Sequence, residues 1–175
     1  MGSLGLDVRQ MATPQQQVIE RELILQLARR MMLSATTSCI GYGLQAFLLV
    51  GLVPARLLLA WVAGVAMFEV FNWHVARDLS RTVDDLRRRQ RLLLMLQVGL
   101  AGTSCVWGAV VLLPGVSTQL EVLTIQGLGL ALAGMYSVHN LSYHRGCLTV
   151  FSLGLALPLF WATLVLGFPA HLGAA

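Results

Sequence analysis

Apolar residues run through this chain in blocks. Five stretches of about twenty, at 32–53, 56–75, 92–113, 120–141 and 147–168, are built mainly from Leu, Val, Ala, Gly, Met and aromatic side chains. Each approaches the roughly 20 apolar residues that a helix needs to cross a bilayer. The pattern predicts an all-α fold, a polytopic transmembrane bundle of five spans. Turn chemistry separates the blocks: Pro54-Ala55, then Pro114-Gly115 with a polar bridge over 116–119, then Ser142-Tyr143-His144-Arg145-Gly146. Pro158 falls inside the fifth span, where neighbouring helices can satisfy the carbonyl it frees. Pro169 ends that span, and 169–175 is a small, uncharged tail.

Upstream of the first span the pattern changes. Residues 1–13 are mixed and Gly-containing and are expected to be disordered. Thr13-Pro14-Gln15-Gln16 reads as a helix start, with a capping residue, a proline suited to the first turn and a weak capping box. Ile19, Leu23 and Leu27 then recur every four residues against Glu20, Arg21, Glu22, Arg29 and Arg30. This predicts a short amphipathic helix over 14–31 lying at the membrane face. A plain extension of the first span accounts for the same residues equally well.

Composition confirms the solvent. The chain of 175 residues is 57% hydrophobic and 11% charged, against about a quarter charged in a soluble domain. The net charge of +4 comes from clustered arginines, and all twelve basic residues are arginine. Six of the twelve fall in 77–91, RDLSRTVDDLRRRQR. Such clusters at span ends set topology and touch anionic lipid, and nothing resembles the basic face of a nucleic-acid-binding module. Within the cluster Asp84 and Arg88, and Asp85 and Arg89, stand four apart with the acid first, which favours helix running into the loop. Arg21, Arg29 and Arg30 precede the first span, and Arg145 follows the fourth. The two opposite loops have only Arg56 between them. The arginine bias therefore predicts a cytoplasmic N-terminus, long loop and 142–146 turn. Five spans leave the C-terminus outside, so a sixth span is expected to follow. No basic-then-apolar leader opens the chain. Cys39, Cys105 and Cys147 all lie in apolar runs, which argues against a disulfide framework.

Few residues can carry chemistry. Glu69 is the only acid deep in an apolar run, and Asn72 shares its helix face. An intramembrane carboxyl is costly and is by default a functional candidate, with helix packing as the plainer alternative. Tyr136, His139 and Tyr143 follow i, i+3, i+7 on one face. Opposite the polar patch Ser34, Thr37, Ser38, Cys39 and Tyr42 they would line a ligand pocket; otherwise they form an interfacial aromatic belt. His74, His139 and His144 are all expected at the same membrane face, and two or three of them could meet as metal or haem ligands. No paired HxxxH or HxxE spacing supports that, so no cofactor is expected. Ala60-xxx-Gly64, Gly99-xxx-Thr103, Ser104-xxx-Gly108 and Gly127-xxx-Ala131 are expected at helix contacts. There is no GxSxG, no P-loop, no HExxH, no GGDEF-like segment and no phosphoacceptor histidine box.

Three segments carry a resemblance: RLLLAWVAGVAMFEVFNWHVARDLSR, then RRRQRLLLMLQVGLAGTSCVWGAVVLLP with Trp107-Gly108 before Pro114, then LGLALAGMYSVHNLSYHRGCLTVFSLGLALPLFW with Ala133-Gly134-Met135, Tyr143 and Pro158. Together, over roughly 56–168, they resemble the N-terminal multi-span input domain of bacterial histidine kinases and diguanylate cyclases. The resemblance implies an inner-membrane sensor that is not itself an enzyme. It also implies a homodimer and relay to a cytoplasmic output domain or response regulator. The alternatives are a small transport or channel subunit, disfavoured by the lack of an inverted repeat with two broken helices and by little intramembrane charge, and a haem- or metal-binding membrane redox protein.

Overall fold

The computed structural model describes residues 14–116 and 120–165. The expectations for 1–13, for 117–119 of the bridge, and for 166–175 with Pro169 and the tail lie outside the described residues. Five helices carry the chain: α1 (Pro14–Leu49), α2 (Ala55–Arg81), α3 (Leu86–Gly108), α4 (Leu120–Leu141) and α5 (Arg145–Val165). Each is long and apolar enough to span a membrane, and no strand occurs among the described residues. The protein is an all-α, multi-span helical bundle.

Three details depart from the sequence reading. First, α1 is one unbroken helix of 36 residues, about 54 Å long at 1.5 Å per residue. The 14–31 segment thus continues straight into the first span. Its buried stripe is Ile24, Leu27, Ala28 and Met31, whereas Ile19 and Leu23 face outward. Second, α1 stops at Leu49, short of Val53. Gly51 takes φ 85 there, a left-handed conformation that ends helices at little cost only for glycine. Third, helix runs into the arginine cluster as its spacing favours, leaving a loop of just 82–85, but the cluster's acids find other partners. The expected Asp84–Arg88 and Asp85–Arg89 pairs do not form. Asp85 instead caps α3 by accepting the Arg88 amide at 3.1 Å. Asp84 accepts from Arg21 Nε at 2.7 Å, and Arg89 Nη2 donates to Glu20 at 3.2 Å. The turn is thereby tied to the N-terminal half of α1. The Arg21 hydrogen bond, with its charge, holds the Asp84 carboxyl below the usual carboxylate range.

The helices form a ring. Sequence neighbours α1–α2 and α2–α3 pack as antiparallel hairpins, α3 packs against α5, and α4 bridges α5 and α1 only lightly. Small residues set the close approaches, since lipid offers no hydrophobic drive between helices. Phe68 covers Gly102, Phe71 covers Gly99, and Val106 covers Gly64 across α2–α3. Trp61 Nε1 donates to the Val106 carbonyl at 2.7 Å. In the α3–α5 pair Gln97 reaches Gly146, Ser104 and the Ala101 carbonyl meet Gly154, and Pro158 rests on Gly108. Positions increase together along both helices, so they run parallel. Gly127 has open space around it and Ala131 is exposed, so that fourth small-residue pair is not at a helix contact. Buried Leu49, Val53, Val110, Val111 and Val116 close the proline end of the bundle, where Gly115 (φ 90) abuts the Leu52 carbonyl.

Candidate functional site

Inside the ring, between α1, α2, α3 and α4, lies a cavity of about 360 Å³, within the 300–1,000 Å³ range of small-molecule sites. Two helical stripes make its facing walls. On α1 the lining positions include Ser34, Ser38, Gly41, Gln45 and Leu48; on α4 they include Gly129, Ala133, Tyr136, Ser137 and Asn140. Both follow three- and four-residue steps, so each is one helix face. The remaining wall holds Glu69 and Asn72 from α2, Leu100, Thr103 and Trp107 from α3, and Phe151 from α5.

Of the ligand-site candidates, Glu69, Asn72 and Tyr136 line the cavity, with Ser34, Thr37 and Ser38 of the α1 polar patch. Glu69 is 8% exposed, and Ser38 of α1 lines the same cavity. Asn72 is 1% exposed and donates to Thr103 Oγ1 at 2.9 Å; Thr103 in turn donates to the Gly99 carbonyl at 3.1 Å. The Asn72 Oδ1 lies against Gly99 and is buried with no hydrogen-bond partner. Tyr136 stands 2.8 Å from Thr37 Oγ1. That hydroxyl already donates to the Ser34 carbonyl at 3.0 Å, so Tyr136 is the donor between them.

His139, near the end of α4, and Tyr143, in the turn that follows it, lie below the cavity. Arg30 of α1 donates to His139 Nε2 at 2.7 Å and lies 4.9 Å above the Tyr143 ring. The i, i+3, i+7 trio therefore does face α1, with only its first member at the cavity. Tyr42 is turned onto its own helix and donates to Cys39 Sγ at 3.0 Å; it does not line the cavity. His74 is exposed and stacks edge-on against Trp73, ring centroids 5.0 Å apart. His144 caps α5, its Nδ1 accepting from the Cys147 amide at 3.3 Å. Among the described residues no group of three or more His, Cys, Asp or Glu is placed to hold a metal ion. The three histidines have separate jobs and form no ligand set.

Sequence reasoning missed Gln45, Trp107 and Asn140. All three line the cavity, and each has a buried polar atom with no partner: Gln45 Oε1, Trp107 Nε1 and Asn140 Nδ2. Gln45 is 8% and Asn140 7% exposed. With Asn72 Oδ1, four such atoms surround the cavity; an orphaned buried polar atom costs about 1–3 kcal/mol, so they mark a place built to be filled. Amides inside apolar runs were the available signal, since they are as conspicuous in lipid as a carboxyl is. No protein-family model, no curated protein and no solved structure matches the chain.

Proposed function

We propose that this chain is the membrane-embedded sensory input module of a bacterial inner-membrane signalling protein. It detects a small amphipathic ligand within the bundle, and the N-terminal, arginine-rich end faces the cytoplasm. The observation that carries this reading is the cavity. Polar groups from four helices converge on it, four of them with an unpartnered atom, and its α4 wall is the most lightly packed element of the ring. A ligand that satisfies those groups binds one arrangement of α1 and α4 better than another, which is what a shift between states requires. Small helix displacements at the cytoplasmic end then pass to an output domain or response regulator, most simply within a homodimer. The module itself performs no reaction.

The reading is tested in the host, with a reporter for the output pathway. Glu69→Gln keeps the shape and removes the charge, whereas Ala133→Phe fills the cavity from α4. Both are expected to alter stimulus-dependent output at unchanged membrane abundance. Wild-type responses from both variants would overturn it.

A further inference from the structure

The cavity also narrows the chemistry of its ligand, if it is the ligand site proposed above. Among the described residues lining it, Glu69 is the only one that can bear a full charge at neutral pH. The nearest identified cation on the α1–α4 seam, Arg30, is engaged by His139 and Tyr143. The carboxyl thus faces the cavity with hydroxyl and amide neighbours and no counter-charge among the described residues. A charge in an apolar span is stabilised by pairing. A ligand ammonium supplies that pair, with three donors of its own. A carboxylate or phosphate head would set like charges together.

The route in is visible as well. Leu44 and Leu48 on α1 and Leu132 on α4 line the cavity and are 60%, 47% and 67% exposed, so the α1–α4 seam opens sideways at that level. In a bilayer these leucines face acyl chains. The α1 wall from Ser38, level with Glu69, to Leu48 spans about 15 Å, the polar part first and the leucine mouth last. Gln45 Oε1 adds one more unpartnered acceptor along the way.

We propose that the cavity is a laterally entered site for single-chain cationic amphiphiles, with Glu69 as counter-ion to a primary amine and Leu44, Leu48 and Leu132 receiving the alkyl chain.

The test uses the full chain in nanodiscs of zwitterionic phosphatidylcholine, with thermal unfolding as readout. Dodecylamine, dodecanol and dodecanoate serve as probes of equal chain length. Dodecylamine is expected to raise the unfolding temperature most. Glu69→Gln is expected to weaken its apparent affinity about tenfold, the difference between a charged and a neutral hydrogen bond. Ala133→Phe, which keeps the carboxyl, is expected to abolish the shift. An equal dodecylamine shift in wild type and Glu69→Gln, or a dodecanol or dodecanoate shift as large as that of the amine, overturns the proposal. The two readings fail separately: amine binding without any reporter response removes the sensory role alone. A reporter response that depends on the cavity, without amine binding, removes the cationic ligand alone.

Discussion

Single glycines decide how closely these helices approach, and the structure sorts them into two kinds. Gly99 has no room for a side chain: a Cβ there would run into Asn72 Oδ1 and the Phe71 ring. Asn72 cannot swing away without losing its Thr103 bond beside the cavity. Gly99→Ala is therefore expected to destabilise the folded protein by about 1–3 kcal/mol, the usual cost of overpacking. Gly127 is the opposite case, with nothing within 4 Å of a built Cβ. Gly127→Ala is expected to be neutral or to stabilise by up to about 1 kcal/mol, the helix-propensity difference. Reversible unfolding of both variants in bicelles checks the pair. A Gly99→Ala protein as stable as wild type would remove the close α2–α3 approach as the reason for that glycine. Both glycines have a small residue four places on, so spacing alone could not separate them. What differs is whether a neighbouring helix covers that face, and that is a fact of tertiary packing.

Among the helices, α4 stands apart. Its outer face shows Leu128, Leu132 and Met135 at 63–72% exposure, and it touches α1 and α5 only lightly. Its ties to α1 are local: Tyr136 to Thr37, and the Arg30 contacts with His139 and Tyr143. By contrast α3 is packed on both sides, against α2 and α5. Segments with few buried contacts open at lower free energy. Amides of α4 are thus expected to exchange hydrogen faster than those of α3. Thr37→Val, which removes one tie worth about 0.6 kcal/mol, should speed α4 further and leave α3 unchanged. Exchange mass spectrometry in nanodiscs reads both, and equal protection of the two helices would rule out α4 as the yielding wall. The helices themselves were legible in the sequence because twenty-residue apolar blocks have few other physical solutions. Glu69, Asn72 and Tyr136 were legible because polar groups are rare in such blocks. The parallel α3–α5 pair was not, since two apolar faces in lipid carry no signal of which neighbour they meet. Nor was the engagement of Asp84 and Arg89 by α1: local spacing offered nearer partners, and only the unbroken length of α1 brings Arg21 and Glu20 alongside the turn.

At the scale of the whole molecule, charge is sorted to one end. The start of α1, the α2–α3 turn and the α4–α5 turn together carry most of the arginines, while the proline end shows only Arg56 among the described residues. Short arginine-rich connections are retained in the cytoplasm, so the proposed orientation has Arg88 inside and Val50 outside. Both positions are exposed, and neither contributes to the cavity. In a background with Cys39, Cys105 and Cys147 replaced by serine, Val50→Cys is expected to react with a membrane-impermeant maleimide in spheroplasts. Arg88→Cys is expected to react only in inverted vesicles. The reverse result would turn the bundle over and put the Arg30–His139–Tyr143 latch on the outside. The cavity and its ligand chemistry would survive that inversion, because both depend on the ring alone. Relay to a cytoplasmic output domain through the arginine end would not, because the latch and the Asp84–Arg21 tie would then move on the wrong side of the membrane.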